Sequence, residues 1–442
     1  MNMSGRLLKK VSTALAALLC IGASSFAQDG AESAYTPYSM FGIGDLIQQG
    51  TPFNKSMGGT GIAMRNRKVI NYLNPAAVTA RDSLSFMADF SISHNDRIYR
   101  QGDSKNVNNI NNINDLVISF PVYRSSAMMF GIAPYSGIGY YTGSYVDDQN
   151  VIGHTGNIAA TSTGTGSMYQ LFAAAGVTFW KRLSIGAEYI YYFGNMSKSS
   201  ALTFSESTYN GVSSGYDMVL HASQGKVGIQ YEQPIGSTTL GIGATYSTNA
   251  NLKGFVTDYM LSSGSLMTDS LRFNIDTLAN NPGRVKIAGE IGVGVSLRHG
   301  ERWRAEFDYT YSDWTRSGMD VVTGFAHSGG KTFSCTKSQS FRLGMELVPN
   351  VNDIRYYYKR WSYKAGAYYN KEHYMLDGHQ ISSAGITFGV TLPVFKYYNG
   401  MSIAVDLGQR GTLNDNLIRE RYVNLTIGLN CFDIWFQKPR YN

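Results

Sequence analysis

Charge is scarce in this 442-residue chain: Asp, Glu, Lys and Arg together make up 16% of it. Three of the cations behind the formal net charge of +7 fall within the first ten residues (Arg6, Lys9, Lys10). The rest are too few and too scattered for a nucleic-acid footprint. Long apolar runs are missing too. After residue 27 no run of 18 apolar residues occurs, which excludes spanning helices. Of three cysteines, Cys20 lies near the N-terminus, Cys335 in an expected surface loop and Cys431 at the far end of the last strand. The last two are expected at opposite ends of the molecule, out of reach of a disulfide. The seven histidines are dispersed. His373 and His379 flank one loop, but two ligands are too few for a metal site. No Ser-His-Asp constellation stands out. Gly330-Lys331-Thr332 lacks the first glycine of a phosphate loop, because position 325 is Phe. Gly59-Thr60-Gly61 is not a dinucleotide fingerprint, because Met64 fills the third glycine position. No enzyme, metal or cofactor is expected.

What the chain does have is alternation. Leu183, Ile185, Ala187, Tyr189, Tyr191 and Phe193 are apolar at every second position, with Ser184, Gly186 and Glu188 between them. Leu171, Ala173, Ala175, Val177 and Phe179 repeat the pattern, and Lys181-Arg182 separates the two runs. A period of two puts one set of side chains on each face of a sheet. An apolar face opposite a polar one, in segments of about ten residues, is the signature of a transmembrane β-barrel. About fourteen such segments can be placed, from 83–94 to 421–433. Strand three is read as 126–140. Short turns (Arg124-Ser125, Lys181-Arg182, His299-Gly300-Glu301) alternate with long polar loops at 95–112, 141–167, 195–216, 249–283 and 317–337. Outer-membrane barrels have short periplasmic turns and long external loops, so both chain ends come out periplasmic. Many of the 31 tyrosines sit at predicted strand ends, as an interfacial girdle requires. Glu188, Glu306, Asp308 and Asp406 fall on inward faces and are read as lumen polarity.

Three regions follow. Residues 1–27 read as a cleaved signal peptide: a basic start, an apolar stretch from Val11 to Ala23, and Ser25-Phe26-Ala27 as the cleavage site. Residues 28–82 are glycine-rich and lack sustained alternation. They are long for a structureless tail and read as a disordered leader, a separate periplasmic element, or a plug inside the lumen, since a barrel of this width needs filling if it is not to leak. Residues 83–442 form the barrel, closing with Tyr422 to Phe436.

The leader carries Met57-Gly58-Gly59-Thr60-Gly61-Ile62-Ala63 and then Asn74-Pro75-Ala76. This resembles the N-terminal hatch of the FadL/TodX family, the long-chain fatty-acid and hydrocarbon channels of Gram-negative outer membranes. Three further passages are similar to that family: Pro134-Tyr135-Ser136-Gly137-Ile138-Gly139, which breaks strand three; Pro282-Gly283-Arg284-Val285 followed by the hairpin strand Trp303 to Trp314; and the strand from Trp361 to Tyr369. The Asn-rich stretch 105–114 has no counterpart in it, and no basic residue can be placed against a ligand carboxylate.

The resemblance implies an all-β fold, a barrel of about 14 strands with the hatch in its lumen. It implies passive uptake of hydrophobic small molecules across the outer membrane. Ligand would be captured on external loops three and four, pass to a pocket above the hatch, and leave sideways where strand three kinks at Pro134, Gly137 and Gly139. Here the fourth loop holds Phe255, Tyr259, Met260, Leu261, Leu266 and Met267. Apolar side chains on an external loop need a reason, either ligand capture or packing of the loop on itself. Asn74, Pro75 and Ala76 are expected to form a tight bend packed on the barrel wall. Expected partners are hydrophobic small molecules and outer-membrane lipid, with no nucleic acid. A second reading keeps the barrel and drops the transport: a FadL-like barrel that docks or shuttles proteins secreted to the cell surface.

Overall fold

The computed structural model describes residues 34–81, 85–123, 125–146, 150, 152, 156–206, 208–262, 265–266, 270–275, 285–326, 331–394 and 399–434. The expected signal peptide (1–27), Met267 and Trp435-Phe436 lie outside the described residues.

Fourteen antiparallel strands close into a transmembrane barrel. In chain order they are β1 (Ser85–Gln101), β2 (Ser104–Tyr123), β3 (Ser126–Tyr145), β4 (Ile158–Phe179), β5 (Leu183–Phe204), β6 (Val212–Ile235) and β7 (Thr238–Ser247). They continue as β8 (Glu290–His299), β9 (Trp303–Asp313), β10 (Lys337–Leu347), β11 (Ser362–Leu376), β12 (His379–Pro393), β13 (Gly400–Arg410) and β14 (Arg419–Ile434). Each strand pairs with the next, and β14 closes on β1 from Ser85↔Ile434 to Arg100↔Arg419. Ile185, Tyr189, Val293, Val295, Leu343 and Met345 are among the large apolar side chains exposed on the outer wall, where lipid covers them. Glu188, Glu306 and Asp308 are buried on the inner face, as the alternation requires.

The strands run further than the sequence pattern suggests. The stretch 95–112 is not a loop: β1 continues to Gln101, a tight turn follows, and the Asn-rich run belongs to β2. β4, β5 and β6 are 22, 22 and 24 residues long, whereas β7 and β8 have 10 each. About ten residues cross the hydrocarbon layer. The remainder of each long strand stands in water, where Ser, Thr and Asn carry the ladder without an apolar period to betray it. One more strand, Lys253–Ser262, adds to the outer half of β6 and prolongs the wall above β7.

The leader fills the lumen. Residues 34–81 form a hatch with little regular structure of its own, built around the four-residue helix Pro52–Lys55 and the 3-10 turn Pro75–Thr79. Phe53, Met57, Met64 and Val69 make its apolar centre. A further segment packs inward above the hatch. The polar external loop expected at 317–337 does not stay outside at its start: residues 314–326 turn inward and bury Trp314, Met319, Val322 and Phe325. Four apolar side chains in that stretch outweigh its polar ones once an apolar hatch surface lies beneath them.

Candidate functional site at the hatch and the strand-three gap

The hatch is seated on the wall by backbone contact. Asn74 is fully buried. Its Oδ1 accepts from Ala76 N at 3.0 Å and caps the 3-10 turn, while Nδ2 donates to Ile62 O at 2.7 Å. The same amide reaches two wall carbonyls, Ile229 O of β6 at 3.3 Å and Ala244 O of β7 at 3.5 Å. Pro75 adds a fixed φ at the first helical position. The wall makes room by omitting side chains: a Cβ at Gly186 would lie 2.3 Å from the Pro75 carbonyl carbon, and one at Gly228 2.0 Å from Asn74 Oδ1. Gly243 and Gly366 make the same allowance for Ile62 and Gly58. Asp308 also belongs to this seat, since its Oδ2 accepts from Gly61 N at 2.6 Å and Ile62 N at 2.9 Å. On β12, Thr387 Oγ1 accepts from Gly58 N at 2.8 Å.

The β2–β3 side is built differently. β2 and β3 pair only below Leu116↔Ile132. Above that point β2 stays with β1 and β3 with β4, and the wall is parted. Both strands are bulged at this height, β2 at Asn114 and β3 at Tyr135. Pro134 stands at the break, where its missing N–H costs no ladder bond. The hatch front enters the gap as a strand on the free edge of β3, with Asp45↔Gly137 and Leu46↔Ser136 in antiparallel register. Thr36 N donates to Gly139 O at 2.7 Å, Ile47 N to Tyr135 O at 2.9 Å, and Gln49 Nε2 to Pro134 O at 3.0 Å. Gly139 is required by this approach, because a Cβ there would lie 2.0 Å from Ala34 O. Pro134, Gly137 and Gly139 are therefore brought together with the hatch.

A charged latch holds the front in place. Arg410 Nη2 lies 3.1 Å from Asp45 Oδ2 and 2.8 Å from Glu420 Oε2. Arg97 Nη1 lies 3.4 Å from Asp45 Oδ2 and also contacts Glu420 Oε1. Thr36 Oγ1 donates to Glu420 Oε2 at 3.0 Å. None of these residues was singled out from sequence. They are far apart in the chain, and Arg97 stood in a presumed loop.

Two cavities flank the front. The inner one is about 140 Å³ and polar, bounded by Asp45, Lys55, Arg97, Asp406, Arg410 and Tyr422. The outer one is about 620 Å³ and has an apolar floor that includes Tyr38, Met40, Phe41, Leu202, Leu376 and Leu417. Beside this floor, Lys198 is buried and donates to Gly42 O at 3.0 Å. Among the described residues no carboxylate pairs with it. Cys335 is half-buried in the same region, and burial pushes its thiol up to about 12.

The apolar residues expected to capture ligand stand mostly on the strand beside β6, not on a free loop. Met260 lies opposite Ser214, which lines the outer cavity, so it shares that face. Phe255 lies opposite the exposed Val219 and points to the other face, as do Tyr259 and Leu261 by their odd spacing. Leu266 pairs with Leu261 in a short hairpin.

A family model described as BamG matches residues 7–442 of the sequence. The chain belongs to the BamG family. No curated protein matches it. Among solved structures, the toluene transporter TbuX of Ralstonia pickettii superposes with a TM-score of 0.55 at 15% identity, over 87% of this chain and 98% of that one. A FadL homologue of Pseudomonas aeruginosa gives 0.57 at 11%, over 89% and 100%. The Pseudomonas putida toluene transporter TodX gives 0.53 at 13%, over 89% and 99%. At these identities the likeness is one of fold: this BamG-family chain has the FadL-type barrel with a lumenal hatch that its motifs suggested.

Proposed function

We propose that this BamG-family protein is a channel of a Gram-negative outer membrane that takes up hydrophobic small molecules, long-chain fatty acids or similar compounds. Phe255, Tyr259, Met260, Leu261, Leu266 and Met267 supply the first contacts. The apolar floor of the outer cavity holds the solute. The hatch front then withdraws from β3, and the solute leaves sideways through the parted wall into the bilayer. The observation that carries this reading is the break between β2 and β3, filled by a two-residue hatch strand and not by barrel pairing. Unpaired backbone facing lipid costs several kcal/mol, on the order of a lost hydrogen bond per group, and a permanent seal would be cheaper to build from the wall itself. The barrels it resembles in fold include structures named as toluene transporters.

The second reading, a barrel that docks or shuttles secreted proteins without transporting a solute, is the less favoured one, since the solved barrels that share this fold are named as transporters.

A disulfide separates the two. Leu46 and Ser136 are antiparallel partners, and such pairs have Cα separations of about 4.5–5.5 Å, within disulfide range. Leu46→Cys with Ser136→Cys, in a Cys431→Ser background, locks the front in the gap. Uptake of a labelled fatty acid or aromatic hydrocarbon should stop on oxidation and return on reduction. Undiminished uptake by the oxidised protein refutes the lateral route. No uptake in the reduced or the oxidised state, with cell-surface protein export intact, supports the docking reading.

A further inference from the structure

The turn between β10 and β11 is longer than its neighbours at the same rim, and its composition is unlike theirs. Residues 354–361 read Ile-Arg-Tyr-Tyr-Tyr-Lys-Arg-Trp. The turn is ordered by its own contacts. Asp353 Oδ1 accepts from Arg355 N at 2.9 Å and Tyr356 N at 2.7 Å, Asn350 N donates to Lys359 O at 2.8 Å, and Tyr357 Oη donates to Pro393 O at 2.7 Å. The cations lie on the rings: Arg355 and Lys359 sit 5.2 and 4.6 Å from the Tyr356 centroid, and Arg360 4.9 Å from that of Tyr357.

Its position is fixed by Tyr363. That residue stands opposite Leu347 on the lipid-facing side of the wall, and both are exposed. Tyr363 Oη donates to Tyr358 O at 3.0 Å, and its ring is 6.2 Å from that of Trp361. The turn therefore folds along the outside of the barrel, directly beyond the last lipid-facing pair of β10 and β11, at headgroup depth. Asp353 is the single carboxylate in the turn and pairs with Lys359 at 3.7 Å. Among the described residues Arg355 and Arg360 have no acidic partner. Ile354 is wholly exposed, an arrangement that costs least where acyl chains can cover it.

We propose that this turn is a binding site for the phosphodiester headgroup of an anionic glycerophospholipid in the inner leaflet of the outer membrane. Arg355 and Arg360 take the phosphate oxygens, which guanidinium groups bind in fork geometry. The tyrosine rings pack along the glycerol, as aromatic side chains do at membrane interfaces, and Ile354 enters the acyl layer. Pre-ordering of the cations on the rings lowers the entropy lost on binding. The site is independent of the lumen and of any solute that passes through it.

The test is native mass spectrometry of the full-length barrel extracted from vesicles of equal phosphatidylglycerol and phosphatidylethanolamine with matched acyl chains. The wild type should retain phosphatidylglycerol in preference. Arg355→Gln with Arg360→Gln should lower that retention by about 30-fold, because each basic side chain at an anionic surface counts for roughly a factor of five. Heat-modifiability on a gel verifies that the variant barrel is folded. Ile354→Ser should lower retention of both lipids alike. Equal retention by wild type and the double variant overturns the proposal. So does displacement of the lipid by millimolar inorganic phosphate, which would make the site one for free anions.

Discussion

The two sides of the hatch are held by different chemistry. On the β5–β7 side, Asn74 and Pro75 press backbone against backbone, with glycines in the wall and amide-to-carbonyl bonds between them. On the β2–β3 side, one short strand lies on a free edge and is fastened by Asp45, Arg97, Arg410 and Glu420. Close packing resists small displacements because any shift opens voids or forces overlap. An ion pair is relieved by a single alternative partner or by water. Under the proposed function the first side serves as the anchor and the second as the release.

The comparison predicts unequal responses. Asp45→Ala should have the largest effect. It removes one of two carboxylates facing Arg97 and Arg410 and leaves a surplus buried cation, for which breaking a buried pair suggests about 3–5 kcal/mol. The loss should appear at the front alone: faster proteolysis near residues 40–50 and raised conductance in planar bilayers, with barrel heat-modifiability unchanged. Gly228→Val on the anchor side should come next, at about 1–3 kcal/mol from overpacking. Here the whole hatch shifts, and protection should fall across both Asn74 and Met57. If the anchor variant frees only the front, the division into anchor and release is wrong. Asn74→Ala should cost about 1–2 kcal/mol through loss of the cap, read as a lower melting temperature of hatch protection. The smallest effect belongs to the wall beside β6. Met260→Ser, on the cavity face, should weaken binding of a hydrophobic probe severalfold, whereas Phe255→Ser, on the other face, should act only if capture begins outside the barrel.

Much of this architecture is legible in the chain, for identifiable reasons. Lipid on one face and a polar lumen on the other force a period of two, and every strand shows it where it crosses the bilayer. The hatch announces itself as a glycine-rich leader with Asn74-Pro75-Ala76, because only small residues and a capped bend let backbone approach backbone. The latch left no trace. Its four residues come from the hatch, β1, β13 and β14, and each alone is an ordinary charge beside polar neighbours. Lys105 to Asn112 looked like a loop because a strand in water needs no apolar face. The inward turn at the start of the expected loop 317–337 was hidden for the converse reason: its burial depends on a hatch surface that no local pattern describes. Met260 and Phe255 looked equivalent in sequence, and only the register against β6 separates them.

The unequal strand lengths have a consequence for what the molecule presents to its surroundings. β4 to β6 run to 22–24 residues, roughly 75–80 Å of extended chain. β8 to β10 stop at 10 or 11 residues. The rim is therefore cut on a slant, tall on one flank and low on the other. A solute or a large neighbour approaching across the cell surface meets a screen from one direction and a low threshold from the other. Under the proposed function, traffic toward the lumen thus acquires a compass bearing within the plane of the membrane.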